Sequence, residues 1–272
     1  MKITGLFFYP VKSLRGTQVT LLELGSRGPR FDRHWMLVDD AGVFMTQRST
    51  PKLAQLVPVL GAQKLSIKEP SGEQLDLPLD ADAGRRAITV WRDQLEAIDC
   101  GDEAAGFFTR SLGQPCRLVR MADDAHRRLD PKYVSDPSAQ TGFADAYPLL
   151  IVNEASRVEL SSRLSAPVPM SRFRPNVVVE GPPAWDEDGW SRIRLSSVPF
   201  DAVKPCSRCA VITTDQLTGA RESAEPLKTL ASYRTMPGLG AIFGMNLVPT
   251  VASGTLRVGD PLTVLNYTKP HV

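Results

Sequence analysis

Short apolar runs, each closed by Gly, Pro, Ser or Asp, recur along the first third of the chain. The segments KITGLFFYPV, QVTLLELG, HWMLVDD, VFMTQR, KLSIKE and AITVW are rich in β-branched, aromatic and aliphatic side chains, which predicts strands. Their spacing of roughly 10 residues suits a barrel or sandwich better than a parallel sheet wrapped in helices. One helical period interrupts them. GDEAAGFFTRSLG places Ala105, Phe108 and Leu112 on one face, with Asp102 as N-cap and Gly113 as the C-terminal stop. A strand, CRLVRM, follows.

Residues 122–144 lose this periodicity and are rich in Asp, Pro, Ser and Gly, as a linker or a functional loop would be. Beyond it the pattern predicts a strand YPLLIV and a helix EASRVELSSRL capped by Asn153. Strands NVVVEG, SRIRLSSVPFDAV and CAVITTD come next, then a helix EPLKTLASYR with Pro226 in its first turn. AIFGMNLV and GTLRVGDPLTVL close the chain as strands. The expected fold is mainly β with a few helices, divided into domains 1–121 and 122–272.

Composition narrows the function. At 272 residues, 42% apolar and 23% charged, the chain has the make-up of a soluble globular protein with a sizeable core. A formal net charge of +2 argues against a general nucleic-acid binder, so any anion site must come from local placement of Arg and Lys. No apolar run approaches the ~20 residues of a membrane span. The opening apolar stretch contains Gly5 and Pro10 and reads as a first strand, not a signal peptide. Four cysteines do not make a disulfide framework, so a cytoplasmic location is expected.

Two of those cysteines share the turn KPCSRCAVITTD. A closed zinc site would need two further ligands, but Cys100 and Cys116 stand alone and His34, His126 and His271 lack a matching spacing. A redox dithiol would open a helix, whereas the β-branched AVITTD predicts a strand entry. A single working thiolate is favoured by Lys204 and Arg208 beside it, and a soft thiolate suits a transition metal carried on a cofactor. Two small buried residues at a strand end remain the plain alternative. P-loop, GxGxxG, GxSxG and HExxH patterns are missing. What remains is a series of basic turns beside strands: YPVKSLRG, FDRHW, TQRS and SRFRPN. Arginine forks at such turns suit phosphates and planar heterocycles.

The order of these turns resembles the MOSC-domain proteins, named after the C-terminal domain of molybdenum cofactor sulfurase. It is most similar to the two-domain branch that contains the mitochondrial amidoxime-reducing component and its bacterial relatives. YPVKSLRG, DRHWMLVD, MTQRSTPKLA, FRPNVVVEG, PCSRCAVITTD, EPLKTLASYR, FGMNL and GTLRVGDPL fall in family order nearly end to end. The resemblance implies a β-barrel N-terminal domain joined to a bent-barrel MOSC domain, with molybdenum cofactor between them. It implies Cys209 as molybdenum ligand. Lys12, Ser13, Arg33, Arg174, Asn176, Ser207 and Arg208 match the positions that hold the pterin and its phosphate, and Asp145 matches an aspartate near the metal. Asn246 stands where the animal enzymes have Tyr, and Ala146 where Ser or Thr is common. The implied activity is reduction of N-hydroxylated substrates such as amidoximes, hydroxylamines and N-hydroxylated bases. Asp145 would position water or relay a proton, and a separate ferredoxin-, flavodoxin- or cytochrome-type protein would supply electrons. The alternative is a molybdenum-cofactor or sulfur carrier that holds its cargo on Cys209.

Overall fold

A computed structural model describes residues 1–269; His271 lies outside the described residues. The chain is mainly β. Its largest sheet is built around the strand Lys2–Phe8, which pairs with Thr17–Val19 on one edge and with Val177–Glu180 on the other. From there the order runs through Leu149–Asn153, Gly240–Pro249, Val198–Ser207 and Trp190–Leu195 to Leu262–Tyr267. Its far end returns to its beginning. A bridge joins Lys2 to Pro261, and the Leu262 amide donates to the Met1 carbonyl at 3.0 Å. The sheet thus closes into a barrel without a free edge on that side. Ile3, Leu6, Ile151, Trp190, Phe200 and Leu247 fill its interior.

The pair Leu149–Asn153 and Val177–Glu180 is parallel, so its connection must cross over, and the helix Glu154–Ser162 does so. Asn153 caps that helix as the sequence predicts, its side chain accepting from the Ala155 amide at 3.1 Å. A second core lies between the four-stranded sheet Trp35–Val38, Arg117–Met121, Asp93–Asp99 and Arg85–Val90 and the three-stranded meander Val57–Leu60, Lys64–Lys68 and Gln74–Pro78. The helix Asp102–Leu112 seals it with Phe107 and Phe108. Strand pairing runs across residue 121, because Lys2–Phe8 lies in the large sheet and Leu21–Gly25 pairs with Gly254–Arg257.

Several expected elements take a different form. QVTLLELG breaks at Thr20, where the chain leaves one sheet for another. VFMTQR makes only isolated bridges at Val43 and Phe44 before turning, since its Gln47 side chain is spent on the interior. Gly101, with φ 95°, takes the N-cap position expected of Asp102, which joins Glu103 in the first turn. The strand expected after the cysteines is a 3₁₀ turn, Ala210–Thr213. There Ile212 is pulled into the core beside Phe173 and Phe243, and the Thr213 hydroxyl donates to the Ala210 carbonyl at 2.8 Å. The strand instead leads into the cysteines, as Val198–Ser207, and includes Cys206.

Between Val177–Glu180 and Trp190–Leu195 the turn Asp186–Gly189 buries Glu187 completely. One carboxylate oxygen accepts from Ser156 Oγ at 2.9 Å, while Oε1 has no hydrogen-bond partner. Burial, with Asp188 adding like charge, pushes the carboxyl up to about 7. The folded-state value lies above the unfolded one, so Glu187 favours folding less as pH rises between them and opposes it fully above about 7. Glu187→Gln is therefore expected to stabilise the fold by up to ~3 kcal/mol at about pH 8 and by little at about pH 4. Urea unfolding across that range measures it; equal gains at both ends would show that the charge is not the cause.

Candidate active site

The basic turns arrive at one place because each follows or precedes a strand that ends there. Lys12 and Ser13 follow Lys2–Phe8, and Arg33 precedes Trp35–Val38. Arg172 and Arg174 precede Val177–Glu180, and Lys204 to Cys209 end Val198–Ser207. Asp145 comes just ahead of Leu149–Asn153. They line a cleft of about 490 Å³, and all of Lys12, Ser13, Arg33, Asp145, Arg174, Asn176, Ser207, Arg208, Cys209 and Asn246 border it. Arg48, Trp91, Arg172 and Lys204 border it too; the sequence pointed to Lys204 as a cation beside the cysteines and to the turns of Arg48 and Arg172, but not to Trp91. For Arg48 a signal existed in the TQRS turn; Trp91 sat unremarked at a hairpin tip.

Two glycines in the motifs have a packing reason. A Cβ at Gly16 would overlap the Tyr9 ring, so the YPVKSLRG loop closes only with glycine there. Gly244, at φ +74°, brings its strand so near Ile151 that a Cβ would stand 2.7 Å from the Ile151 carbonyl oxygen. More telling are residues other than glycine. Ser13, Arg33, Trp91 and Arg174 all have positive φ, at 67°, 45°, 57° and 54°. Such conformations cost roughly 1–3 kcal/mol each and cluster where function overrides local preference.

The electrostatics are lopsided. Seven cationic side chains (Lys12, Arg33, Arg48, Arg172, Arg174, Lys204 and Arg208) face one lining carboxylate, Asp145. Among the described residues Arg174, Lys204 and Arg208 form no ion pair. Arg208 is held instead by carbonyls, donating to Phe173 O at 2.9 Å and to Phe243 O at 2.6 and 2.9 Å. Arg174 donates to Gln216 Oε1 at 3.2 Å and lies 4.5 Å from the Tyr9 ring centre. Burial and the nearby Arg33 bring its guanidinium down to about 10. Arg33 is paired with Asp32 and donates to Asn176 Oδ1 at 3.0 Å. Asn176 also accepts from the Leu150 amide and donates to Asp32 and Phe7 O, so its amide is fully engaged. It positions Arg33 and has no donor left for a ligand.

Asp145 is gripped by three groups: Lys12 Nζ, Arg48 Nη2 at 3.0 Å and Trp91 Nε1 at 3.3 Å. Burial alone would raise its pKa, but the two cations outweigh that and hold the carboxyl well below the usual carboxylate range. Burial brings Lys12 down to about 8 despite the support of Asp145. Arg127, in the polar loop, donates to Gly142 O at 3.0 Å and to Asp145 O at 3.3 Å, which fixes the segment that carries Asp145. A buried amide pair, Gln47 and Gln216, exchanges bonds of 3.1 and 2.9 Å and joins the Ser13 loop to the turn beyond Cys209.

The four cysteines divide by environment. Burial pushes Cys100 up to about 12 and Cys116 up to about 11, as for inert core thiols. Burial also raises Cys206. Cys209 is half-buried at the cleft beside Arg48, whose cation Asp145 supports against desolvation. Among the described residues no group of three or more His, Cys, Asp or Glu converges on a metal position. A metal at Cys209 would have to bring its other ligands on a cofactor. An anionic group fits the unpaired Arg174, Lys204 and Arg208, and a soft metal fits the sulfur.

Comparison with known proteins gives this arrangement a lineage. Residues 1–115 match the MOSC N-terminal beta barrel domain and residues 138–263 match the MOSC domain. The chain is 33% identical to human mitochondrial amidoxime reducing component 2 over 96% of its own length and 82% of that protein. It is 32% identical to human mitochondrial amidoxime-reducing component 1 over 97% of its length and 82% of that protein. To bovine molybdenum cofactor sulfurase it is 32% identical over 80% of its length, which is 27% of that longer protein. The chain belongs to the MOSC-domain proteins, with a MOSC N-terminal β-barrel preceding the MOSC domain.

Proposed function

We propose that the chain is a molybdenum-cofactor-dependent reductase of N-hydroxylated compounds, served by a separate electron-transfer protein. The observation that carries this reading is the Cys209 sulfur, placed at a cleft with cations in excess and, among the described residues, no group of three or more protein ligands to hold a metal by themselves. Support comes also from the two human relatives, both named for amidoxime reduction. For an amidoxime the balance is R–C(=NOH)NH₂ plus two electrons and two protons giving the amidine R–C(=NH)NH₂ and water, with the N–O bond broken. When bound, the molybdenum cofactor supplies the two-electron exchange.

The chain's own residues do the rest. Cys209 anchors the metal, while Arg174 and Arg208 offer charged N–H groups to the cofactor phosphate, held in direction by carbonyls and Gln216. Arg33, locked by Asp32 and Asn176, adds a third guanidinium. Asp145 stays ionised at neutral pH, so it acts as a fixed acceptor that orients the substrate's N–H or a water. The transferable proton sits on Lys12 Nζ, which donates to Asp145 and to Phe143 O at 2.8 Å.

Protein from a cofactor-making host should contain molybdenum and, with a reduced dye as donor, consume benzamidoxime. Cys209→Ala should lose both metal and turnover, the latter by at least ~100-fold, while Cys206→Ala keeps the metal. Loaded protein that never turns over would instead favour a cofactor or sulfur carrier. Activity should fall as pH rises past about 8, where Lys12 gives up its proton. In Asp145→Asn that limb should move to lower pH, because the anion supporting the Lys12 cation is gone; an unmoved limb would assign it to another group.

A further inference from the structure

We infer that Trp91 is a stacking platform that makes the cleft select flat, conjugated N-hydroxylated substrates over small aliphatic hydroxylamines. The reacting group in this statement rests on the reductase reading above; the stacking does not.

Trp91 and Arg92 form the tip of the hairpin between Arg85–Val90 and Asp93–Asp99, where Val90 pairs with Asp93. Two-residue hairpin tips favour Asn and Gly, since they call for positive φ. Trp91 holds φ 57° there, a strained state for a bulky residue. Its side chain gains no burial in return, for it is 46% exposed, whereas Trp35 and Trp190 are at most 1% exposed. Yet the indole is fixed. Its Nε1–H reaches Asp145 at 3.3 Å, the Arg48 guanidinium lies 4.7 Å from the ring centre, and the Phe44 ring lies 5.1 Å away. The hairpin itself is tied down by Asp93, which pairs at 2.6 Å with Arg127, the residue that also holds the Asp145 backbone. The result is an oriented, half-exposed indole on the cleft wall, beside the carboxylate and next to the arginine that interacts with Cys209.

Charge defines the class of molecule it takes. Lys12 and Arg48 neutralise Asp145, so the indole and carboxylate do not together form a cation trap. An uncharged, planar amidoxime or N-hydroxylated base can lie on the ring and give an N–H to the half-exposed Asp145. Its reduction product, an amidinium, would meet the Arg48 charge and be released. A small alkyl hydroxylamine has no π-face to offer and gains nothing from the indole.

The test compares wild type, Trp91→Phe and Trp91→Asn as loaded, full-length protein. Asn suits the left-handed turn, so this variant should unfold no more readily than wild type. With benzamidoxime, Trp91→Asn should raise KM about tenfold over Trp91→Phe, the loss of one stacking contact, since both variants lose the Nε1–H bond to Asp145. With N-methylhydroxylamine these two variants should agree with each other within about twofold. Equal losses on both substrates, or none on either, would overturn the inference while leaving the reductase reading intact. Titration with benzamidoxime without any electron donor gives a second readout. Saturable quenching of indole fluorescence should occur in wild type and vanish in both variants. If no substrate is turned over, the reductase reading fails, and this titration alone decides for or against the platform.

Discussion

Like charges resist being gathered, and the site described here gathers seven cations around one cleft. At an effective dielectric constant of about 20, two unit charges about 4 Å apart repel by roughly 4 kcal/mol, so such a cluster forms only where the fold restrains each member. The restraints are visible one by one. Arg208 is spread over three carbonyl contacts, Arg33 is bound to a buried aspartate, and Arg48 and Lys12 share Asp145. Arg174 has no carboxylate and is held by an amide and a ring. The remaining unneutralised charge is what makes the cleft receptive to an anion.

That arrangement also explains where backbone strain is found. Four residues at positive φ line the cleft, and they come from four separate turns. Each turn must aim a particular side chain inward instead of following its easiest course. The closed barrel makes this possible, because its ends are locked through Lys2, Pro261 and Leu262 and a large apolar cluster fills its interior. A rigid scaffold can hold loops in conformations they would not choose alone.

The cysteines illustrate how environment sorts chemically identical groups. Cys100 and Cys116 share an apolar core with Phe107 and Leu118, where ionisation is suppressed. Cys206 packs against the third core and borders the cationic cleft together with Cys209, which has Arg48 close by.

The alternation of short apolar runs and turn residues was enough to establish a mainly β fold, the helix over 102–112 and the cap at Asn153, because these depend on local periodicity and capping. The ordered series of basic turns was enough to place the chain in its family and to name the residues that converge on the cleft. What lay beyond local pattern was partnership. The β-branched AVITT run became a 3₁₀ turn because Ile212 found a core to fill, which no window of sequence records. Asn176 proved to be saturated by Arg33, Asp32, Phe7 and Leu150, contacts up to 169 residues away in the chain. Arg48 and Trp91 carried no distinguishing spacing, and only the fold brings them to Asp145 from 97 and 54 residues away. Sequence determined which residue types were present at each strand end; tertiary structure decided which of them meet, because charge, burial and stacking act through space and not along the chain.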